Sequence, residues 1–68
     1  MKKLPSELAA EWIRIERLRL GFSQTELATV LAVDRSLVSR LENGRVRLTV
    51  DDLAALAKIF GTLPPGFL

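Results

Sequence analysis

The chain has 68 residues and a net charge of +2, room for one small domain that buries about 60% of its unfolded surface. Its residues are 49% hydrophobic, too many for a disordered tail. It has neither cysteine nor histidine, which excludes disulfides, zinc–thiolate sites and imidazole bases.

Lys2 and Lys3 are followed by Pro5 and Glu7 rather than an apolar stretch, so no signal peptide is expected. No apolar run approaches the roughly 20 residues that span a bilayer. A cytoplasmic protein without a membrane segment is expected. The first helix is predicted from Ser6 to Leu20, with Gly21 as its stop. Ala9, Ile13 and Leu20 form one apolar stripe along it. Leu8, Trp12 and Ile15 form a second, rotated by about a third of a turn. One stripe is enough to cover the other helices. The second is either further monomer core, or it meets the C-terminal tail or another subunit.

The second helix starts at Ser23, where Ser23 and Glu26 match a capping box, and ends near Leu31. Leu27, Ala28 and Leu31 form its buried side, and Ala32-Val33 fills the space under the following turn. Asp34 caps the third helix, which ends at Asn43 with Gly44 in a left-handed conformation. Thr49 caps the fourth, with Asp52 in the reciprocal position, and Gly61 stops it. Val50, Leu53, Leu56, Ala57 and Phe60 form its wide apolar face. Residues 62–68 form a tail in which adjacent prolines prevent simple helix continuation. The expected architecture is all-α: one four-helix domain over residues 1–68, with five helices as the alternative and a helix-turn-helix at residues 23–43.

The third helix is amphipathic in an unusual way. At about 100° per residue, Arg35, Ser36, Ser39 and Arg40 share one face, and Leu37, Val38 and Leu41 share the other. From Arg35 to Arg47 there are four arginines and one glutamate, a local net charge of +3. Such a cluster fits nucleic acid better than the total charge does. Arginine bridges guanine N7 and O6, and serine reaches several base edges. Arg35, Ser36 and Ser39 are the expected base readers, and Arg40 reads a base or holds a phosphate. Gln24 opens the second helix beside free backbone amides. Asn43, Arg45 and Arg47 lie beyond the third helix, placed for phosphate. The plain alternative for each arginine is solvated surface charge. Glu42 would be repelled by phosphate unless paired, and Arg17 is its expected partner. The alternative is two independent charges.

From Ile13 to Gly61 the chain, with IRIERLRLGFSQTELATVLAVDRSLVSRLENG at its centre, resembles the helix-turn-helix family of phage repressors and Cro proteins, the XRE-like regulators. The resemblance implies a lambda-repressor-like fold and binding to double-stranded DNA. It implies that Arg17 pairs with Glu42 and that Gln24 binds phosphate. It places Arg35, Ser36, Ser39 and Arg40 at the bases and Asn43, Gly44 and Arg45 on the opposite flank. The chain departs from the family in three places: a charge at Glu16, Val46-Arg47-Leu48 where proline is common, and a tail too short for a full fifth helix. Those departures shift the dimer contact to Trp12, Phe60, Leu63 and Phe67, with Phe67 near Trp12 within a subunit or across a dimer.

Three functions compete. The first is a homodimeric, sequence-specific regulator, expected to be a repressor, reading a palindromic operator. The second is an antitoxin or other partner-binding regulator that also binds its own promoter. The third is an enzyme, for which Asp51-Asp52 is the one candidate pair. Both acids instead suit the first turn of a helix, where negative charge is stabilised, and adjacent side chains point about 100° apart. No enzyme activity, cofactor, metal or small-molecule ligand is expected.

Overall fold

A computed structural model describes residues 6–64. They form four helices, α1 (Ser6–Arg19), α2 (Gln24–Leu31), α3 (Arg35–Glu42) and α4 (Val50–Phe60), with no β-strand among the described residues. Alanine, leucine, glutamate and arginine, all strong helix formers, dominate α1. Glu7 lies in its first turn, and Arg17 and Arg19 in its last, each the sign that the helix dipole favours. The helix ends where Gly21 takes φ +77° and the Phe22 amide donates back to the Arg17 carbonyl at 3.0 Å.

Both halves of the capping box at α2 form. The Ser23 hydroxyl accepts from the Glu26 amide at 3.0 Å, and the Glu26 carboxylate accepts from the Ser23 amide at 2.8 Å. At α4 one half forms, with the Thr49 hydroxyl accepting from the Asp52 amide at 3.1 Å. Asp34 occupies the cap position of α3 with extended backbone but makes no side-chain capping bond. Backbone geometry alone starts that helix.

Ile13, Leu27, Val38 and Leu56, one from each helix, are completely buried and form the centre of the core. Trp12 sits edge-on to Phe60, with ring centroids 5.2 Å apart at 85°. Its indole Nε1 donates to the Thr62 hydroxyl at 3.3 Å, which satisfies the ring's one polar atom. Arg19 adds a second tie between α1 and the end of α4, donating through Nη2 to the Phe60 carbonyl at 2.9 Å.

The two apolar stripes of α1 do not stay separate. Ala9, Ala10, Trp12 and Ile13 are buried, while Leu8 and Ile15 are exposed. Leu20, assigned to the inner stripe by periodicity, lies past the last helical residue and is also exposed. Val50, assigned to the inner face of α4, is 60% exposed because it is the first residue of the helix and overhangs the core.

Candidate nucleic-acid interface

The turn between α2 and α3 sets the angle of the pair. Ala32 carries the reversal in left-handed backbone, φ 59° and ψ 44°. Its amide donates to Thr29 and that of Val33 to Ala28, closing the end of α2. Val33 is half-buried beneath the turn against the core. Leu27 and Ala28 of α2 then face Val38 and Leu41 of α3 inside one cluster, and the alanine permits close approach. Sequence reading placed Ala32-Val33 under the turn but did not find the left-handed residue, because glycine is the usual signal for one and alanine gives none.

Packing Val38 and Leu41 inward leaves the opposite side of α3 open. Arg35, Ser36 and Arg40 are exposed and Ser39 is half-buried. Leu37 is half-buried and packs on the core. Asn43, at the C-terminal cap of α3, is not independent of Ser39. Its Nδ2 donates to the Ser39 carbonyl at 2.8 Å and to the Ser39 hydroxyl oxygen at 3.5 Å. The Ser39 hydroxyl hydrogen stays available to an acceptor on a ligand.

Beyond α3 the chain turns at Gly44, φ +68°, where the Arg45 amide donates to the Arg40 carbonyl at 3.0 Å. A Cβ on Gly44 would come within 3.7 Å of the Ser6 carbonyl oxygen. This turn therefore rests close to the start of α1. Val46 and Leu48 then pack against the core while Arg45 and Arg47 point out. The alternation of arginine and aliphatic residues over 45–48 presents two cations on an anchored loop. That alternation is visible in the sequence, and it was the missed signal for how the loop is held.

Behind this surface lies an ion pair. Arg17 Nε donates to Glu42 Oε2 at 2.6 Å, Nη2 donates to Oε1 at 3.1 Å, and Nη1 donates to the Phe22 carbonyl at 2.8 Å. The side chains are 12% and 5% exposed, so this is a buried, bidentate pair joining α1 to the last turn of α3. Glu42 Oε1 also accepts from Gln24 Nε2 at 3.3 Å. The Gln24 carbonyl oxygen in turn accepts from Arg35 Nη1 at 3.3 Å. Gln24 is half-buried at the first position of α2, between the pair and the open face. Sequence reading assigned Gln24 to phosphate and did not foresee either contact, since the three residues lie 11 and 18 positions apart.

Of the remaining assigned residues, Trp12 and Phe60 are buried against each other and Leu63 is 50% exposed. Phe67 lies outside the described residues, and so does its expected contact with Trp12. No group of three or more histidine, cysteine, aspartate or glutamate side chains that could hold a metal occurs among the described residues. No helix among them is long and apolar enough to cross a membrane.

Comparison with known proteins agrees with this geometry. The helix-turn-helix family model HTH_3 matches residues 13–68. A hypothetical transcription factor, NHTF, from Neisseria is 30% identical. Its structure superposes with a TM-score of 0.80 over 90% of this chain and 75% of that one. Hydroxypropylphosphonic acid epoxidase from S. wedmorenis is 28% identical, with a TM-score of 0.80 over 91% of this chain and 33% of that one. An iron(II) form of an HppE protein is 27% identical, with a TM-score of 0.81 over 91% and 35%. The chain thus spans about a third of the length of those two HppE chains. No curated protein matches it significantly.

Proposed function

The chain belongs to the helix-turn-helix family of DNA-binding regulators, and we propose that it acts in the cytoplasm as a homodimeric transcriptional repressor of a palindromic operator. The family supports sequence-specific DNA binding through the helix-turn-helix, a regulatory function. In the proposed complex α3 enters the major groove. Its eight residues make a rod of about 12 Å, which the groove admits. Arg35, Ser36, Ser39 and Arg40 face the bases, and Gln24, Asn43, Arg45 and Arg47 hold the phosphates on either side.

The observation that carries this reading is the division of α3. Val38 and Leu41 are buried, Arg35, Ser36 and Arg40 are exposed, and the α2–α3 turn is fixed by backbone hydrogen bonds. Selection of bound sequences from a random duplex pool is the test. Enrichment of an inverted repeat with half-sites about one helical turn apart is expected. Arg35→Ala should relax the preference at one position in each half-site. Recovery of no preferred sequence would overturn the reading.

One α3 reaches only a few base pairs, and pairing two copies supplies a full operator. Leu8, Ile15 and Leu63 are each 43–52% exposed around the Trp12–Thr62 contact. Glu11 and Lys58 lie beside these apolar groups with opposite charges. This arrangement suits a second copy related by a two-fold axis. Ile15→Glu is expected to yield a monomer with weakened operator binding. A wild-type chain that is monomeric on the operator, and copurifies with another protein, would instead favour the antitoxin-like reading.

A further inference from the structure

The outer side of α1 carries an apolar stripe. Leu8, Ile15 and Leu18 are 43%, 52% and 61% exposed. With Glu11 between them they follow one another at intervals of three, four and three, the spacing of a helix seam that packs on another helix. Leu8 and Ile15 belong to the patch assigned above to a second copy, and Leu18 extends it along the helix. Charge is ordered along the same side. Glu7 and Glu11 lie in the first half of α1 and Arg14 in the second, all exposed. The ion pairs among the described residues, Arg17–Glu42 and Arg19–Glu16, use neither Glu11 nor Arg14. Counting about 100° per residue, Arg17 and Trp12 point about 140° apart. Arg17 faces α3 through Glu42, and Trp12 faces the end of α4 through Phe60. The stripe lies on the outer arc between them, so α3 is on one flank of it and α4 on the other.

We propose that α1 pairs antiparallel with α1 of a second copy, Leu8 meeting Leu18 and Glu11 reaching Arg14 across the two-fold axis. This deepens the homodimer reading and rests on it, naming the element and its direction. In this register Ile15 packs on the aliphatic stem of Glu11, and symmetry repeats every contact. Parallel pairing would set Glu11 against Glu11 and Arg14 against Arg14, with helix dipoles aligned. The flanks decide further. A two-fold axis relating antiparallel helices runs perpendicular to both and to the line joining them. It carries both α3 helices to one face of the pair and both α4 helices to the other. A parallel pair would put the two α3 helices on opposite faces, out of reach of one duplex. The 14 residues of α1 make a rod of about 21 Å. One such helix pair buries less than the roughly 1,200–2,000 Å² of a stable interface. The dimer is therefore weak in solution and reinforced when two copies share one operator.

Sedimentation equilibrium of the DNA-free chain tests the pairing. It compares wild type, Glu11→Arg, Arg14→Glu, the double variant Glu11→Arg/Arg14→Glu, and an equal mixture of the two single variants. Both positions are exposed, so melting temperatures should stay near wild type. Each single variant gathers four like charges about the axis and is expected to weaken dimerisation about 10-fold or more. The double variant should restore it. So should the mixture, in which unlike charges meet again between the two different chains. The sequence has no cysteine, so introduced thiols report direction. Leu8→Cys mixed with Leu18→Cys should cross-link on mild oxidation. Leu8→Cys alone should not, since its two copies stand about 15 Å apart along the pair, beyond disulfide reach. A dimer indifferent to the charge reversals, or cross-linked through Leu8→Cys alone, overturns the α1 pairing and leaves the homodimer reading standing. A chain that stays monomeric at about 1 mM overturns the pairing and leaves the stripe to residues 65–68 or to another protein. If that chain also fills its operator as a monomer, the homodimer reading falls too.

Discussion

Ala32 holds a conformation that side chains with a Cβ adopt at a cost of about 1–2 kcal/mol. The α2–α3 turn demands it, because the amides of Ala32 and Val33 must both reach back to close α2. Ala32→Gly relieves the clash and loses some ground to the greater freedom of unfolded glycine. It is expected to stabilise the domain by about 1 kcal/mol, a rise of about 4–8 °C in melting temperature. A lower melting temperature would show that the turn is unstrained. Glu26 offers a pH-dependent test. The hydrogen bond from the Ser23 amide, then that with the Ser23 hydroxyl, hold its carboxyl below the ordinary 4.5. A folded-state pKa below the unfolded one gives stability that is complete above 4.5 and is lost as pH falls through the folded value. Wild type should therefore melt above Glu26→Gln near neutrality, and the gap should close in acid. A gap that persists unchanged at about pH 2 would assign the effect to something other than the carboxylate charge.

The ion pair between Arg17 and Glu42 is the main polar link between α1 and α3. Arg17→Met strands a buried carboxylate and is expected to destabilise by about 3–5 kcal/mol, enough to unfold much of a domain this small. The double variant Arg17→Met/Glu42→Leu removes the stranded charge and should recover most of that loss in urea melts. A double variant no more stable than the single one would mean that the pair's geometry itself holds the helices. Much of the element level was legible in the sequence. Ser23 and Glu26 announced the start of α2 because a capping box is local, and the faces of α3 followed from its period. The height at which a neighbour covers a face is not local. Trp12 meets Phe60 where α4 ends, while Leu8 and Ile15, a turn to either side, overhang. The Gln24 contacts were hidden for the same reason, since they need three helices already in place.

Over the whole molecule, the excess of positive charge is local. Arg35, Arg40, Arg45 and Arg47 lie on or just beyond α3, while along α1 Glu7, Glu11 and Glu16 are balanced by Arg14, Arg17 and Arg19. That distribution, readable from the sequence, points to one binding side. Operator affinity is expected to fall steeply between about 50 and 200 mM salt. Arg47→Ala should lower the slope of log affinity against log salt by about one and leave the ranking of duplexes intact. A changed ranking would move Arg47 from backbone to base. The single tryptophan gives a means of separating these measurements. Its indole is fastened to Phe60 and Thr62 where α1 meets the end of α4, away from the exposed Arg35, Ser36 and Arg40 of α3. Intrinsic fluorescence thus monitors unfolding at that joint, and a labelled duplex monitors occupancy of the cationic side. A variant that darkens one signal and spares the other declares at once whether it has damaged the scaffold or the reading head.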